Sequence, residues 1–262
     1  MKKRILEYLL LAFGIPALCI FFGSRTANDT FRLILYGIEG ASPAIAVILI
    51  LLLHNKAEHA GKYLRDKYLS HLSVSKCLLG CAIPFAILTG AKIASIIMGD
   101  PYFYPEGLTI RKVVIILWAL IAEELGWRGY LQDKLQNLVP DRYIPLLTGM
   151  TWALWHYHFL LSGSMEVPIV AFTLGCILES YGYFMITKLA RNNIVPASIW
   201  HFTGNLMFNI YRFDPQWHNG DIRYYWIATG FYALCPLLYY IYKKRQCMIH
   251  GKKHRHSSRK TL

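Results

Sequence analysis

Charge is what this chain has least of. Only 16% of its 262 residues are Asp, Glu, Lys or Arg, and 55% are hydrophobic, whereas roughly a quarter of a soluble domain is charged. That shortage excludes an ordinary water-soluble globule. Acidic residues are scarcer still, 15 against 28 basic ones, which leaves a net charge of +13. In so apolar a chain the excess belongs to cytoplasmic loops and anionic headgroups, and nucleic acid is not an expected partner. The six cysteines (Cys19, Cys77, Cys81, Cys176, Cys235, Cys247) lack the spacing of a zinc finger or a redox pair, and read as small buried hydrophobes. No HExxH motif is present. The start, MKKRILEYLLLAFGIPALCIFF, has the basic-then-apolar order of a secretion signal but no small-x-small cleavage site. Leu18 also spoils a lipoprotein-type site at Cys19, so a retained first span is expected. There is no internal repeat, and the basic tail is the one low-complexity segment.

What is abundant is apolar sequence in runs of membrane length. A span takes roughly 20 mostly apolar residues, and eight such stretches occur near 5–23, 33–53, 77–98, 112–132, 144–162, 167–187, 194–211 and 224–242. Lys and Arg concentrate at the N-terminus, in the second loop (Lys56, Lys62, Arg65, Lys67, Lys76), the fourth (Lys134, Arg142), the sixth (Lys188, Arg191) and the tail; the fifth loop has none. The positive-inside rule then predicts an all-α, polytopic transmembrane bundle of about eight spans with both termini cytoplasmic. It would be one membrane domain, 1–243, followed by a mobile basic cytoplasmic tail, 244–262. His250, His254 and His256 of that tail suit headgroup attraction better than metal binding.

Against this background Glu123 and Glu124 stand out, inside RKVVIILWALIAEELGWRGYL, with Arg128 one turn on. Carboxylates are costly in hydrocarbon, so they face a bundle interior or a wet cavity and mark function. Helical spacing pairs Glu124 with Arg128 and rotates Glu123 by about 100°, leaving it the less satisfied carboxylate, as a general base requires. In the fifth span His156 and His158 point to opposite sides, so at most one joins a common site, and Trp152 shares the His156 face. In the seventh, His201 and Asn205 share a face. At a rise of about 1.5 Å per residue, Glu123, His156, His201 and Asn205 all fall roughly 10–19 Å from the inner ends of their spans.

Glu123-Glu124-Leu-Gly-Trp-Arg128, then Trp152-x-x-x-His156, then His201-x-x-x-Asn205, in that order and each on a predicted span, resembles the three-motif signature of the CPBP family: type II CAAX prenyl proteases, bacteriocin-linked relatives and Abi proteins. The likeness covers about 108–211, and Trp152 stands where the family usually has Phe. It implies an intramembrane endopeptidase in which Glu123 activates water, His156 orients it, and His201 and Asn205 stabilise the oxyanion, with Glu124 and Arg128 holding the fourth span. A metal-free mechanism is favoured, with no cofactor. The alternative is a zinc site of Glu123, His156 and His201.

Three more polar residues fall inside apolar spans. Glu39 and Lys92 are candidates to pair with each other or to reach an interface, and Glu179 to line the cavity; packing contacts are the simpler expectation for all three. The expected setting is an integral, multi-pass protein of the plasma membrane, in contact with lipid and with a peptide or protein substrate at the membrane. Competing functions are a non-catalytic immunity factor or scaffold of the same family and a small transporter or proton relay.

Overall fold

The computed structural model describes residues 2–54, 57–102, 107–161, 163 and 165–258, without the side chains of 57, 161 and 249–258. Among the described residues there is no strand. In chain order the helices are α1 (Lys2–Gly23), α2 (Asp29–Gly40), α3 (Ser42–His54), α4 (Ala57–Tyr68), α5 (Val74–Ile97), α6 (Ile110–Ala122), α7 (Gln132–Gln136), α8 (Ile144–Leu161), α9 (Ile169–Leu189), α10 (Val195–Ile210), α11 (Arg223–Phe231) and α12 (Leu234–Ser258). Of these, α1, α5 and α9 are each long and apolar enough to cross a membrane. Large apolar side chains lie open on their outer faces, among them Leu10, Val74, Leu78 and Ile97. Such a surface is stable against lipid and not against water.

The remaining apolar stretches are helical but interrupted. The stretch 33–53 is two helices, α2 and α3, bent by 70° and joined through Ala41. Pro43 accounts for the break: it has no N–H to give to α2, and it fits the first turn of a new helix. The stretch 224–242 divides between α11 and α12. The latter continues as helix through Ser258, so the backbone of the basic segment is an extension of the last helix. The tail histidines lie outside the described side chains. The second loop also carries a helix not foreseen from apolar patterning, the charged α4.

Two glycine contacts set how closely helices approach around the centre. Gly80 of α5 lies against the Pro196 carbonyl at the start of α10, where a Cβ would collide. Gly149 of α8 faces α9, where a Cβ would sit 2.6 Å from the Ile177 Cα. The buried core is rich in aromatics, with Tyr8, Trp127, Trp152, Trp155, Tyr183 and Trp200 all nearly inaccessible. Trp155 Nε1 donates to Ser42 Oγ at 3.0 Å and Ser42 Oγ to Ala12 O at 2.9 Å, which ties α8, α3 and α1 together through polar groups. Of the cysteines, Cys19, Cys176 and Cys235 are buried as expected. Cys81 and Cys247 are exposed, which corrects that expectation for these two: Cys81 lies on the outer face of a lipid-length helix, where a small apolar side chain is equally at home.

Candidate active site

The two glutamates sit where a regular helix stops. Thr109 caps the start of α6, accepting from Lys112 N at 3.3 Å, and the helix ends at Ala122. After Glu123 and Glu124 the chain winds as a π-helix, Leu125–Leu131, before α7 resumes. A continuous α-helix over 112–132 is therefore not what forms. Gly126 permits the departure: it presses on α3 and α1, and a Cβ would lie 2.5 Å from Pro43 Cβ and 2.6 Å from Tyr8 Oη. The altered hydrogen-bond ladder is supported from α4, whose Tyr63 hydroxyl donates to Gly129 O at 2.6 Å. Beside it Lys67 pairs with Asp133. Short π segments re-aim side chains and recur at functional sites.

The carboxylates face different partners. Glu124 is wholly buried, and its Oε1 accepts from Arg128 Nη1 and from His201 Nδ1, each at 2.9 Å. Its Oε2 is buried with no hydrogen-bond partner among the described residues. The Arg128 guanidinium lies 3.8 Å above the Tyr183 ring and 4.6 Å from that of Trp152, and Nη2 reaches Ser180 Oγ at 3.5 Å. Glu123 Oε2 accepts two indole N–H groups, from Trp152 at 2.8 Å and from Trp127 at 3.3 Å. Charge thus meets charge at Glu124, while Glu123 is held by neutral donors.

Trp152 joins the elements of the site. Its indole binds Glu123, and its ring is edge-on to both His156 and His201, with centroids 5.5 Å away in each case. His156 Nδ1 lies 2.9 Å from the Trp152 carbonyl. A carbonyl only accepts, so Nδ1 carries the proton and Nε2 is the nitrogen left for other partners. His201 Nδ1 is committed to Glu124 in the same way. The structure therefore brings Glu123, Glu124, Arg128, His156 and His201 around one indole. Asn205 lies one turn beyond His201 on α10 and is half-buried; its carbonyl accepts from Asn209.

His201 is registered by its neighbour. The Trp200 ring fills a slot at Gly182 of α9, where a Cβ would lie 2.6 Å from Cη2, and Trp200 Nε1 donates to Glu179 Oε1 at 3.0 Å. The same carboxyl oxygen lies beside Gly204, 3.2 Å from where a Cβ would be. Glu179 is thus an interhelical anchor between α9 and α10. The other expected pairing, Glu39 with Lys92, does not form, because each has a nearer partner. Glu39 Oε1 lies 2.9 Å from His158 Nε2, and Lys92 donates to Asp100 at 2.6 Å and to Tyr211 O at 3.0 Å. His158 thereby points away from His156, as their spacing requires.

Among the described residues no group of three or more His, Cys, Asp or Glu side chains is arranged to hold a metal ion. The zinc set of Glu123, His156 and His201 does not fit. The Trp152 ring stands edge-on to both imidazoles, and its N–H occupies Glu123 Oε2. Trp127 and Trp200 were not anticipated as parts of the site. Only Trp127 left a trace in the sequence, as an indole four residues after Glu123.

Residues 105–207 match the family model described as type II CAAX prenyl endopeptidase Rce1-like. The chain is also similar to a protein of Methanococcus maripaludis named CAAX prenyl protease 2. The two are 26% identical over 227 residues, which is 76% of this chain and 82% of that one.

Proposed function

We propose, for a chain that belongs to the CPBP family of CAAX-type membrane proteases and their relatives, that it is a metal-independent intramembrane endopeptidase acting on a membrane-associated peptide or protein. The observation that carries this is the contrast between the two adjacent carboxylates. Glu124 is engaged by Arg128 and His201, whereas Glu123 is oriented by two neutral indoles.

In the proposed reaction Glu123 takes a proton from water as its oxygen adds to the scissile carbonyl carbon. His156, with Nδ1–H anchored on its own turn, presents Nε2 to the same water. His201 and Asn205 donate to the oxyanion, and Glu124 supports the positive charge that a doubly protonated His201 carries. With His201 charged, two carboxylates face two cations, which keeps a buried cluster neutral. The C–N bond then breaks as the proton on Glu123 passes to the departing nitrogen, leaving a carboxylic acid and an amine, and transfer of the acid's proton to the amine gives carboxylate and ammonium. Each donor to the oxyanion is worth about 3–4 kcal/mol in such sites.

The same proposal has the chain crossing the plasma membrane eight times with both termini cytoplasmic, a protease unit 1–243, and a basic segment 244–262 at the inner surface. α10 has 16 residues and reaches only about 24 Å, so some crossings would be short and flanked by aqueous clefts.

The substrate class is tested with purified protein and a quenched fluorogenic peptide ending in a prenylated CAAX sequence, alongside a peptidomic comparison of cells carrying wild type and Glu123→Ala. Cleavage or peptide release that disappears in Glu123→Ala while protein level holds is the expected result. Undiminished biological activity in Glu123→Ala would replace the protease with a scaffold or immunity role.

A further inference from the structure

The charged helix α4 touches both halves of the site from outside it. Ala60 and Lys67 are buried and Tyr63 and Leu64 half-buried, whereas His59, Lys62, Arg65 and Asp66 lie exposed. That spacing is the stripe of a helix docked along one face. From the stripe Tyr63 donates its hydroxyl to Gly129 O at 2.6 Å, inside the π segment. Lys67 pairs with Asp133 in α7, just after that segment.

The end of the same helix holds the start of α10, which carries His201 and Asn205. Ile194 N donates to Lys67 O, and the amide of fully buried Asn193 donates to Tyr68 O and Ser70 O, all at 2.9 Å. Ile194 also packs over Gly129, its Cδ1 lying 3.7 Å from where a Cβ would be. Thus α4 joins the stretch bearing Glu123, Glu124 and Arg128 to the helix bearing His201.

The place of the Tyr63 bond gives it a consequence for the site. Gln132 N reaches back five residues to Trp127 O, and α7 then resumes four-residue spacing. Where a ladder shortens in this way, the carbonyls outnumber the amides by one. A buried carbonyl without a donor is costly. Tyr63 brings a donor from another helix to that very stretch. Without it, regular α winding becomes the better-satisfied alternative. Shedding the extra residue would turn the chain between Glu124 and α7 by about 100°, and Glu124 would leave His201 Nδ1, now 2.9 Å away.

We infer that Tyr63 is a positioning residue of the proposed hydrolysis: by holding Gly129 O it keeps the π segment wound, and so keeps Glu124 on His201 and Glu123 on Trp152. Its effect on rate rests on the protease reading; its effect on the setting of His201 does not.

The test uses the purified full chain in detergent micelles. Tyr63→Phe removes only the hydroxyl, and Ala60→Gly loosens α4 without touching Gly129. Kinetics on the fluorogenic peptide are read beside the Nδ1 resonance of His201, followed through its ring C–H protons in protein isotopically labelled at histidine nitrogen and assigned by its loss in His201→Gln. Tyr63→Phe is expected to lower kcat about tenfold at unchanged KM and to move the His201 resonance. Ala60→Gly is expected to lower the unfolding midpoint at least as much while keeping kcat and the resonance. Unchanged kcat or an unmoved resonance in Tyr63→Phe overturns the inference. So does an equal change in Ala60→Gly, or a Tyr63→Phe chain that does not fold, since either assigns α4 to stability alone. If wild type and Glu123→Ala do not differ in cleavage, the protease reading fails, and the resonance decides the positioning by itself: moved in Tyr63→Phe but not in Ala60→Gly upholds it, and unmoved overturns it.

Discussion

Trp152 on α8 donates its indole N–H to Glu123 at 2.8 Å, so a residue four positions before His156 holds the carboxylate of another helix. Trp127, four residues after Glu123, shares the same oxygen from 3.3 Å. Replacing either indole by phenyl keeps the packing and removes one donor. A hydrogen bond to a charged acceptor contributes about 1.5–3 kcal/mol. Trp152→Phe, the family's usual residue, is expected to slow cleavage about tenfold, with Trp127 still in place. Trp127→Phe/Trp152→Phe should lose more than the product of the single effects. Initial rates on the fluorogenic peptide, with protein level as control, measure this.

Arg128 and Glu124 answer to stability before activity. Arg128→Ala leaves Glu124 buried with His201 as its one remaining hydrogen-bond donor among the described residues, and breaking a buried pair costs about 3–5 kcal/mol. Low abundance and a clearly lower unfolding midpoint are expected, whereas Glu123→Gln keeps both near wild type. If Arg128→Ala proves as stable as wild type, the ion pair is not what holds the π segment.

Gly126 and Gly37 make a matched pair. Gly126→Ala drives a methyl into Pro43 and Tyr8 and should reduce the folded yield severely. Gly37 of α2 has open space where a Cβ would go, so Gly37→Ala should be neutral or stabilise by up to about 1 kcal/mol. Fluorescence-detected size exclusion with a thermal ramp separates the two outcomes.

The anchor on α9 gives a graded series. Glu179→Gln keeps an acceptor for the Trp200 indole, and Glu179→Ala removes it. Near-normal stability for the first and a loss of about 1–3 kcal/mol for the second follow from leaving a buried donor unpaired. Equal losses in both would mean that the charge, and not the hydrogen bond, is what α10 needs.

Chelation is expected to leave activity unchanged, since no group of three ligands converges among the described residues. Treatment with 1,10-phenanthroline, followed by metal analysis of the purified protein, checks this. Stoichiometric zinc whose removal abolishes cleavage would contradict it.

Much of the site was legible beforehand because intramembrane charge is so constrained. In a chain with few acids, Glu123, Glu124 and Arg128 inside an apolar run had to face inward, and four-residue spacing paired Glu124 with Arg128 correctly even though the backbone there is π-helical. The link from Glu124 to His201 could not be read in that way. It joins residues 77 positions apart, and helical periodicity describes only one helix at a time. The supposed Glu39–Lys92 pair failed for the same reason: each residue's depth was known, but not its neighbours.

Patterning by itself determined that this is a helical membrane protein, which apolar runs belong to it, and which few polar residues turn inward to the candidate site, because the cost of burying charge in lipid acts on each residue locally. Tertiary structure decided where the runs break, at Pro43 and after Ala122, and which indoles hold Glu123. Those outcomes depend on close approach between helices, on whether a glycine or a proline meets a neighbour at one point, and that information is spread over several distant stretches of chain.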